Sequence, residues 1–434
     1  MSTSSGSGSH QPKSHHQKSQ PNVGLALGAI GLGGFAADYL LSIGLSRLLD
    51  THAYGDYRVA QSFVSLAGIA VLLGGDRAAP MVVSGRLEKG ELGAAWEYLR
   101  FYLRLGVLLS FGVIVLTWIA SALHIGSSDP QHHHAVPWMV VAVPVIAAGA
   151  MISRGLQSAR RHVLAALPWR VGFPLLKLAL LVLVARVAGG LDLHTAVVIG
   201  IGATVIVTVV QWRVLRRLVF PVLERDPSAS SPRDWLTASV PMMGAFLVSV
   251  VLNQSDLYFL EILGDDEEVG HYAAASTSAH FLLIIQATVV GFFAPRLRPA
   301  LDQSAEAGRK IYREGLRVVL LAVIPAAVAL VLGAKPILSV FGPSFVTADV
   351  ELGWLVVGNT AWATAALAAL WLQYTGRASL TLAVTIATLV FDSALNLALI
   401  PHLGMHGAAL STAASMALAA AFLVILRRRT LRAL

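Results

Sequence analysis

The chain has 434 residues, 56% of them hydrophobic and 13% charged, with no cysteine and a formal net charge of +8. Water-soluble domains carry roughly 25% charged residues, so this chain has too little polar surface for water, and its long apolar runs between short charged clusters follow the pattern lipid imposes. The absence of cysteine excludes disulfides, thiolate metal sites and cysteine nucleophiles. No P-loop or HExxH motif is present to support nucleotide or zinc hydrolysis. No basic stripe interleaved with aromatics points to nucleic acid, and the positive balance fits anionic lipid at a cytoplasmic face.

In chain order, residues 1–22 (MSTSSGSGSHQPKSHHQKSQPN) lack any apolar face and read as a disordered cytoplasmic tail rather than a signal peptide. Apolar runs of spanning length follow near 24–49, 57–83, 98–123, 135–158, 169–189 and 194–218. The segment 219–233 carries three prolines and a serine cluster, which predicts a cytoplasmic linker. Six further runs lie near 235–262, 269–295, 311–333, 349–373, 378–400 and 406–426, before a basic tail at 427–434. The predicted fold is an all-α membrane protein with twelve transmembrane helices in two six-helix lobes, 23–218 and 234–426.

Lysine and arginine set the expected orientation. Of the 32, Lys177 falls inside a span, Arg47, Arg58, Arg186 and Lys335 fall on one side, and the other 27 fall on the opposite side or just within it. The positive-inside rule makes that richer side cytoplasmic and places both termini there. The halves also carry a repeat. DTHAYGDYRVA from Asp50 and DDEEVGHYAAA from Asp265 are 215 residues apart and match at Asp50/Asp265, Gly55/Gly270, Tyr57/Tyr272 and Ala60/Ala275. Each string is the first outer loop of its half, so the repeats run parallel, about a pseudo-two-fold axis along the membrane normal.

Several strings resemble one family in order and spacing. They are SRLLDTHAYGDY from Ser46 to Tyr57, DLYFLEILGDDEEVGHYAAA from Asp256 to Ala275, Pro295 at the end of the eighth span, ILSVFGPSF from Ile337 to Phe345, and NLALIPHLGMHGAALSTAAS from Asn396 to Ser415. The chain resembles the Wzx-type polysaccharide flippases of the multidrug/oligosaccharidyl-lipid/polysaccharide exporter superfamily, more closely in its second half. The resemblance implies transport of an undecaprenyl-pyrophosphate-linked oligosaccharide from the inner to the outer leaflet of a bacterial inner membrane, for cell-surface polysaccharide assembly. It implies no catalysis and no cofactor. Its implied partners are the lipid-linked oligosaccharide, membrane lipids, a proton or sodium ion, a polysaccharide polymerase and chain-length proteins.

Ionisable groups within spans cost about 2.5–3.5 kcal/mol each and are functional candidates by default. Lys177, Arg154, Arg170 and Arg77 are the candidate cations for a diphosphate; Asn253, Gln254, Asn359 and Asn396 are candidate sugar contacts. Asp38, Asp256 and Asp392 are candidates for ion coupling. Plainer roles compete with these. The three arginines lie near an interface, where they can snorkel, and Asp38 with Lys177 can form a buried pair that only locks two helices. Gly31, Gly33 and Gly34 suit close helix packing rather than phosphate. His132, His133 and His134 are adjacent and cannot easily face one ion, so no metal site is expected. Two other functions fit the same composition. A multidrug exporter of the superfamily calls for an acidic cavity, whereas the candidates here are of mixed charge. A polysaccharide polymerase or ligase calls for a large outer loop, which this chain lacks.

Overall fold

The computed structural model describes residues 21–123, 135–221 and 231–432. The expected tail up to residue 20, the histidines at 132–134 and most of the linker lie outside these residues. The first half contains α1 (Pro21–Leu48), α2 (Thr51–Ala70), α3 (Gly75–Glu88), α4 (Leu92–Ala122), α5 (Val136–Met139), α6 (Val143–Ser158), α7 (His162–Leu167), a π-helical turn Pro168–Gly172, α8 (Phe173–Ala188) and α9 (Leu193–Leu218). The second contains α10 (Pro232–Leu252), α11 (Ser255–Leu263), α12 (Asp266–Ala279), α13 (Phe281–Gln303), α14 (Ala305–Leu332), α15 (Ala334–Ser339), α16 (Asp349–Tyr374), α17 (Ala378–Leu403) and α18 (Met405–Arg432). No strand occurs among the described residues. Eleven segments are long and apolar enough to span a membrane, and the pair α2 and α3, bent by 44°, makes twelve.

The breaks within spans have local causes. Between α2 and α3 the sequence reads LLGG; Leu73 and Gly74 take positive φ of 45° and 78°, which a helix cannot accommodate. The carbonyl of Leu73 left free there accepts a 2.8 Å hydrogen bond from Ser239 Oγ of α10. The π turn forms at Pro168, whose missing N–H orphans a carbonyl one turn back. Gln211, buried on α9, repairs this: its Nε2 donates to Leu164 O at 3.2 Å and Ala165 O at 2.9 Å, and its Oε1 accepts from Trp169 Nε1 at 2.7 Å. Asp50 caps α2, accepting from Ala53 N at 2.8 Å, and Asp192 caps α9, accepting from Thr195 N at 3.1 Å.

The repeat extends beyond its eleven-residue signature. A shift of 215 residues carries α4 onto α14, α5 through α6 onto α16, α7 with α8 onto α17, and α9 onto α18, each within about five residues. Where α2 crosses α12, Gly55 meets Gly270: a Cβ on Gly55 would stand 2.8 Å from Gly270 N. Two residues related by a two-fold axis can touch only close to that axis, so the axis passes through this contact.

The halves meet again at the far end of α2, where α10 lies against α3 and α4. Tyr102 Oη and Ser239 Oγ are 2.8 Å apart, and Trp235 packs against Tyr98 and Phe101 with ring centroids at 5.3 and 5.5 Å. Gly55 stands about 22 Å of helix from Ala70 at 1.5 Å per residue, and Gly74 lies four residues beyond the end of α2, so the two contacts are separated by most of a bilayer core. The two halves therefore touch at two levels near opposite membrane faces.

Candidate functional site

Between these levels lies a cavity of about 350 Å³. Arg58 of α2 forms one wall; Asn253, Gln254, Asp256, Tyr272, Ser276 and His280 of the second half form the other. The break between α10 and α11 falls at Asn253 and Gln254, which is why two amides appear in the middle of an apolar span. The guanidinium of Arg58 donates to Ser42 Oγ at 3.3 Å, Gln61 Oε1 at 3.5 Å and, across the interface, Thr277 Oγ1 at 3.1 Å. Its Nε is buried without an acceptor, so protein partners do not saturate the five donors of the guanidinium.

Asp256 belongs both to this cavity and to a buried cluster within the second half. Its Oδ2 accepts from Tyr272 Oη at 2.9 Å and Thr412 Oγ1 at 2.6 Å, and its Oδ1 from Asn396 Nδ2 at 2.8 Å. The same amide nitrogen donates to Asp392 Oδ2 at 3.1 Å, which also accepts from Ser255 Oγ at 3.1 Å. Asp256, Asp392 and Asn396 are all buried, and Asn396 Oδ1 has no donor. Two carboxylates joined by one amide and shielded from water cannot both stay charged without a proton or a cation between them. No group of three or more histidine or acidic side chains among the described residues could hold a metal ion by its own charge.

The other predicted residues fall into separate places. Lys177 is buried on α8 and donates to Tyr57 Oη. It faces a cavity of about 220 Å³ walled by first-half residues such as Gln61, Ser65, Trp169, Phe173 and Thr204, rather than the cleft between halves. Asp38 is half-buried on α1 and forms no ion pair with the ammonium. Arg77 and Arg154 do come together: Asp76 Oδ2 lies 3.0 Å from Arg77 Nε and 4.0 Å from Arg154 Nε. Arg77 also reaches across the interface, its guanidinium 3.4 Å from the Phe246 ring centroid, and Arg154 donates to Gln157 Oε1 at 2.7 Å. Arg170 is exposed on the π turn, where its backbone packs on Gly34. Asn359 is buried on α16 and does not line the cavity between the halves. Asn396 joins the two carboxylates and does not line the cavity between the halves.

Arg58, His280, Tyr57, Tyr272 and Thr412 were not among the expected site residues. Arg58 counted as an outer-edge basic residue, yet α2 begins at Thr51, so Arg58 lies two turns inside the helix. The repeat itself was the available signal for the tyrosines, since Tyr57 and Tyr272 are two of its four matches.

The fold is shared with solved structures of low sequence identity. An inward-facing multidrug resistance MATE family transporter of the MOP superfamily matches with a TM-score of 0.72 at 14% identity, over 94% of this chain and 98% of its own. The lipid II flippase MurJ in an inward closed conformation matches with a TM-score of 0.73 at 12% identity, over 92% of this chain and 87% of its own. A MOP superfamily transporter from Pyrococcus furiosus, described as having a binding pocket of reversed polarity, matches with a TM-score of 0.62 at 15% identity, over 94% and 95%. No curated protein matches in sequence. The family model for polysaccharide biosynthesis proteins matches residues 24–298, well over half the chain, and the chain belongs to that family. Its eleven or twelve span-length apolar segments make it a multi-pass membrane protein.

Proposed function

We propose that the protein flips an undecaprenyl-pyrophosphate-linked oligosaccharide from the inner to the outer leaflet of a bacterial inner membrane, by alternating access of its two halves. The carrying observation is the cavity between the halves, with Arg58 on one wall and Asn253, Gln254 and His280 on the other. A diphosphate calls for a guanidinium with free donors, and a sugar calls for amides. Arg77 and Arg154, at the opposite contact level, would meet the diphosphate on its way in. Opening the Gly55/Gly270 level while the Ser239/Leu73 level stays closed, and then the reverse, would expose the cavity to each side in turn. Both termini would lie in the cytoplasm, and a polymerase and chain-length proteins would take up the product.

We propose further that the cluster of Asp256, Asp392, Asn396 and Thr412 binds the coupling cation. Hard monovalent cations prefer oxygen ligands of this kind, and the orphaned Asn396 Oδ1 adds another. Because Asp256 also lines the cavity that Arg58 faces, a cation bound there changes the charge opposite the guanidinium and so links cation binding to cargo binding.

The test is flipping in vesicles that carry a fluorescent undecaprenyl-pyrophosphate glycan, with exposure read by a membrane-impermeant quencher. Arg58→Gln should lose flipping and Arg58→Lys should keep part of it, because the charge remains but the fork does not. Wild-type vesicles that export a cationic dye in a cation gradient, but leave the glycan in place, would overturn this reading in favour of a multidrug exporter.

A further inference from the structure

Lys177 and Asp392 occupy one position in the two halves. They are 215 residues apart, on α8 and α17, which the repeat superposes, and both are buried. Tyr57 and Tyr272 are mates at the same offset. Each stands beside its half's charged group: Tyr57 accepts from Lys177, and Tyr272 donates to Asp256. Each half also has a carboxylate on its first span, Asp38 on α1 and Asp256 on α11, though not at matching positions. At the one matched charged position the sign is reversed: an ammonium beside a phenol in the first half, a carboxylate in the second.

The charge balance differs accordingly. The second-half cluster needs a positive charge from outside. The first half already has one, held on a side chain. The ammonium sits 4.3 Å from the Tyr57 ring centroid and 5.8 Å from that of Phe173, geometry that favours its charged form. Nor does the first half copy the remaining ligands: at the 215-residue offset, Leu41, Leu181 and Val197 stand where Asp256, Asn396 and Thr412 stand.

We infer that Lys177 is a tethered cation. It fills the first half's counterpart of the coupling-cation site, so the mobile cation enters and leaves through the second half alone. This rests on the cation reading of the second-half cluster, and it assigns Lys177 the task of setting how many ions travel per cycle rather than that of touching cargo.

The experiment counts radiolabelled sodium bound to full-length protein in lipid nanodiscs at alkaline pH. Wild type should bind one ion. Lys177→Asp recreates the second-half arrangement beside a cavity with oxygens from Gln61, Ser65 and Thr204; it should bind a second, weaker ion. Asp392→Lys should bind none, and its melting temperature should no longer rise with sodium, because nothing then links ion to folded state. Two ions on wild type, or a single ion on monodisperse Lys177→Asp, would overturn the tethered cation. If Lys177→Asp does not fold, Asp392→Lys decides: sodium-independent melting supports the inference and sodium-dependent melting overturns it. Wild type that binds no sodium would instead defeat the second-half cation reading on which the inference rests.

Discussion

The contact between Gly55 and Gly270 offers a way to bias one end of the molecule. A Cβ added to Gly55 would stand 2.8 Å from Gly270 N and 3.3 Å from its Cα. Comfortable contacts begin near 3.5 Å, so in Gly55→Ala the α2 and α12 backbones must part by about 0.7 Å. On Gly270 the new Cβ would overlap the carbonyl oxygen of Thr51 and stand 3.0 Å from Thr51 Cγ2, a harder clash because backbone cannot rotate away. Overpacking of this kind costs about 1–3 kcal/mol. That cost applies only while this level is closed, whereas the gain in helix propensity, about 1 kcal/mol for alanine over glycine, applies in every state. Gly270→Ala should therefore leave thermal stability nearly unchanged and shift the balance toward opening at this level by roughly 5- to 150-fold. The chain has no cysteine, so a single Ser276→Cys in the cavity reports access. Its labelling by a membrane-impermeant maleimide should accelerate within that range in the Gly270→Ala background. Unchanged labelling in a folded variant would refute the idea that this contact gates the cavity.

Three further expectations follow from named contacts. Gln211→Leu strips the donors from the carbonyls of Leu164 and Ala165 and should destabilise the protein by about 2–6 kcal/mol, at about 1–3 kcal/mol per orphaned buried group; thermal unfolding in detergent checks it. The hydrogen bonds from Thr195 hold the Asp192 carboxyl below the usual carboxylate range. A lowered folded value means the cap contributes above the ordinary carboxylate range and fades as pH falls through the lowered value; Asp192→Ala should cost about 0.5–2 kcal/mol at neutral pH and nothing in strong acid, read as the difference in melting temperature. Reporter fusions at Arg225 and Arg429 should report cytoplasm, and a fusion at His133 the outer side, from the basic asymmetry of 27 to four; an outer signal at Arg225 would reverse the expected orientation.

The spans were legible because the hydrocarbon core acts on a single variable, the length of an apolar run. Helix ends were less so. The last turns of α13 and α14's first carry arginines and acids beyond the apolar run, and charged helix continues in headgroup and water where hydropathy has nothing to say. Asp392 and Asn396 were readable as one face, being four residues apart, but their bonds to Ser255 and Asp256 join residues 137 and 140 apart in sequence, which periodicity cannot reach. Lys177 was legible as costly and not as placed: a lysine mid-span can face the interior of its own half or the cleft between halves, and the choice rests on how α8 is rotated against α2 and α9. For Arg58 the error was one of depth. The apolar run begins only near it, because Asp50, His52 and Asp56 precede it, while the cap on Asp50 starts the helix two turns earlier.

A parallel repeat gives two halves of like shape, and with like charges it would leave each half able to do what the other does. The charges here are not alike. The offset that superposes the helices sets a lysine on an aspartate and apolar side chains on Asp256, Asn396 and Thr412. Shape symmetry suits rocking, which needs two contact levels of similar strength at opposite faces. Charge asymmetry suits direction, because a cation that binds one half alone can strengthen closure on one side of the cavity without strengthening it on the other. Arg58 stands where the two requirements meet. It touches Gln61, whose side chain lines the Lys177 cavity, and Thr277 across the interface, and it faces the wall that contains Asp256. An anionic cargo drawn to Arg58 and a cation drawn to Asp256 would neutralise opposite walls of one cavity. Each would then lower the cost of burying the other, and neither would cross as readily alone.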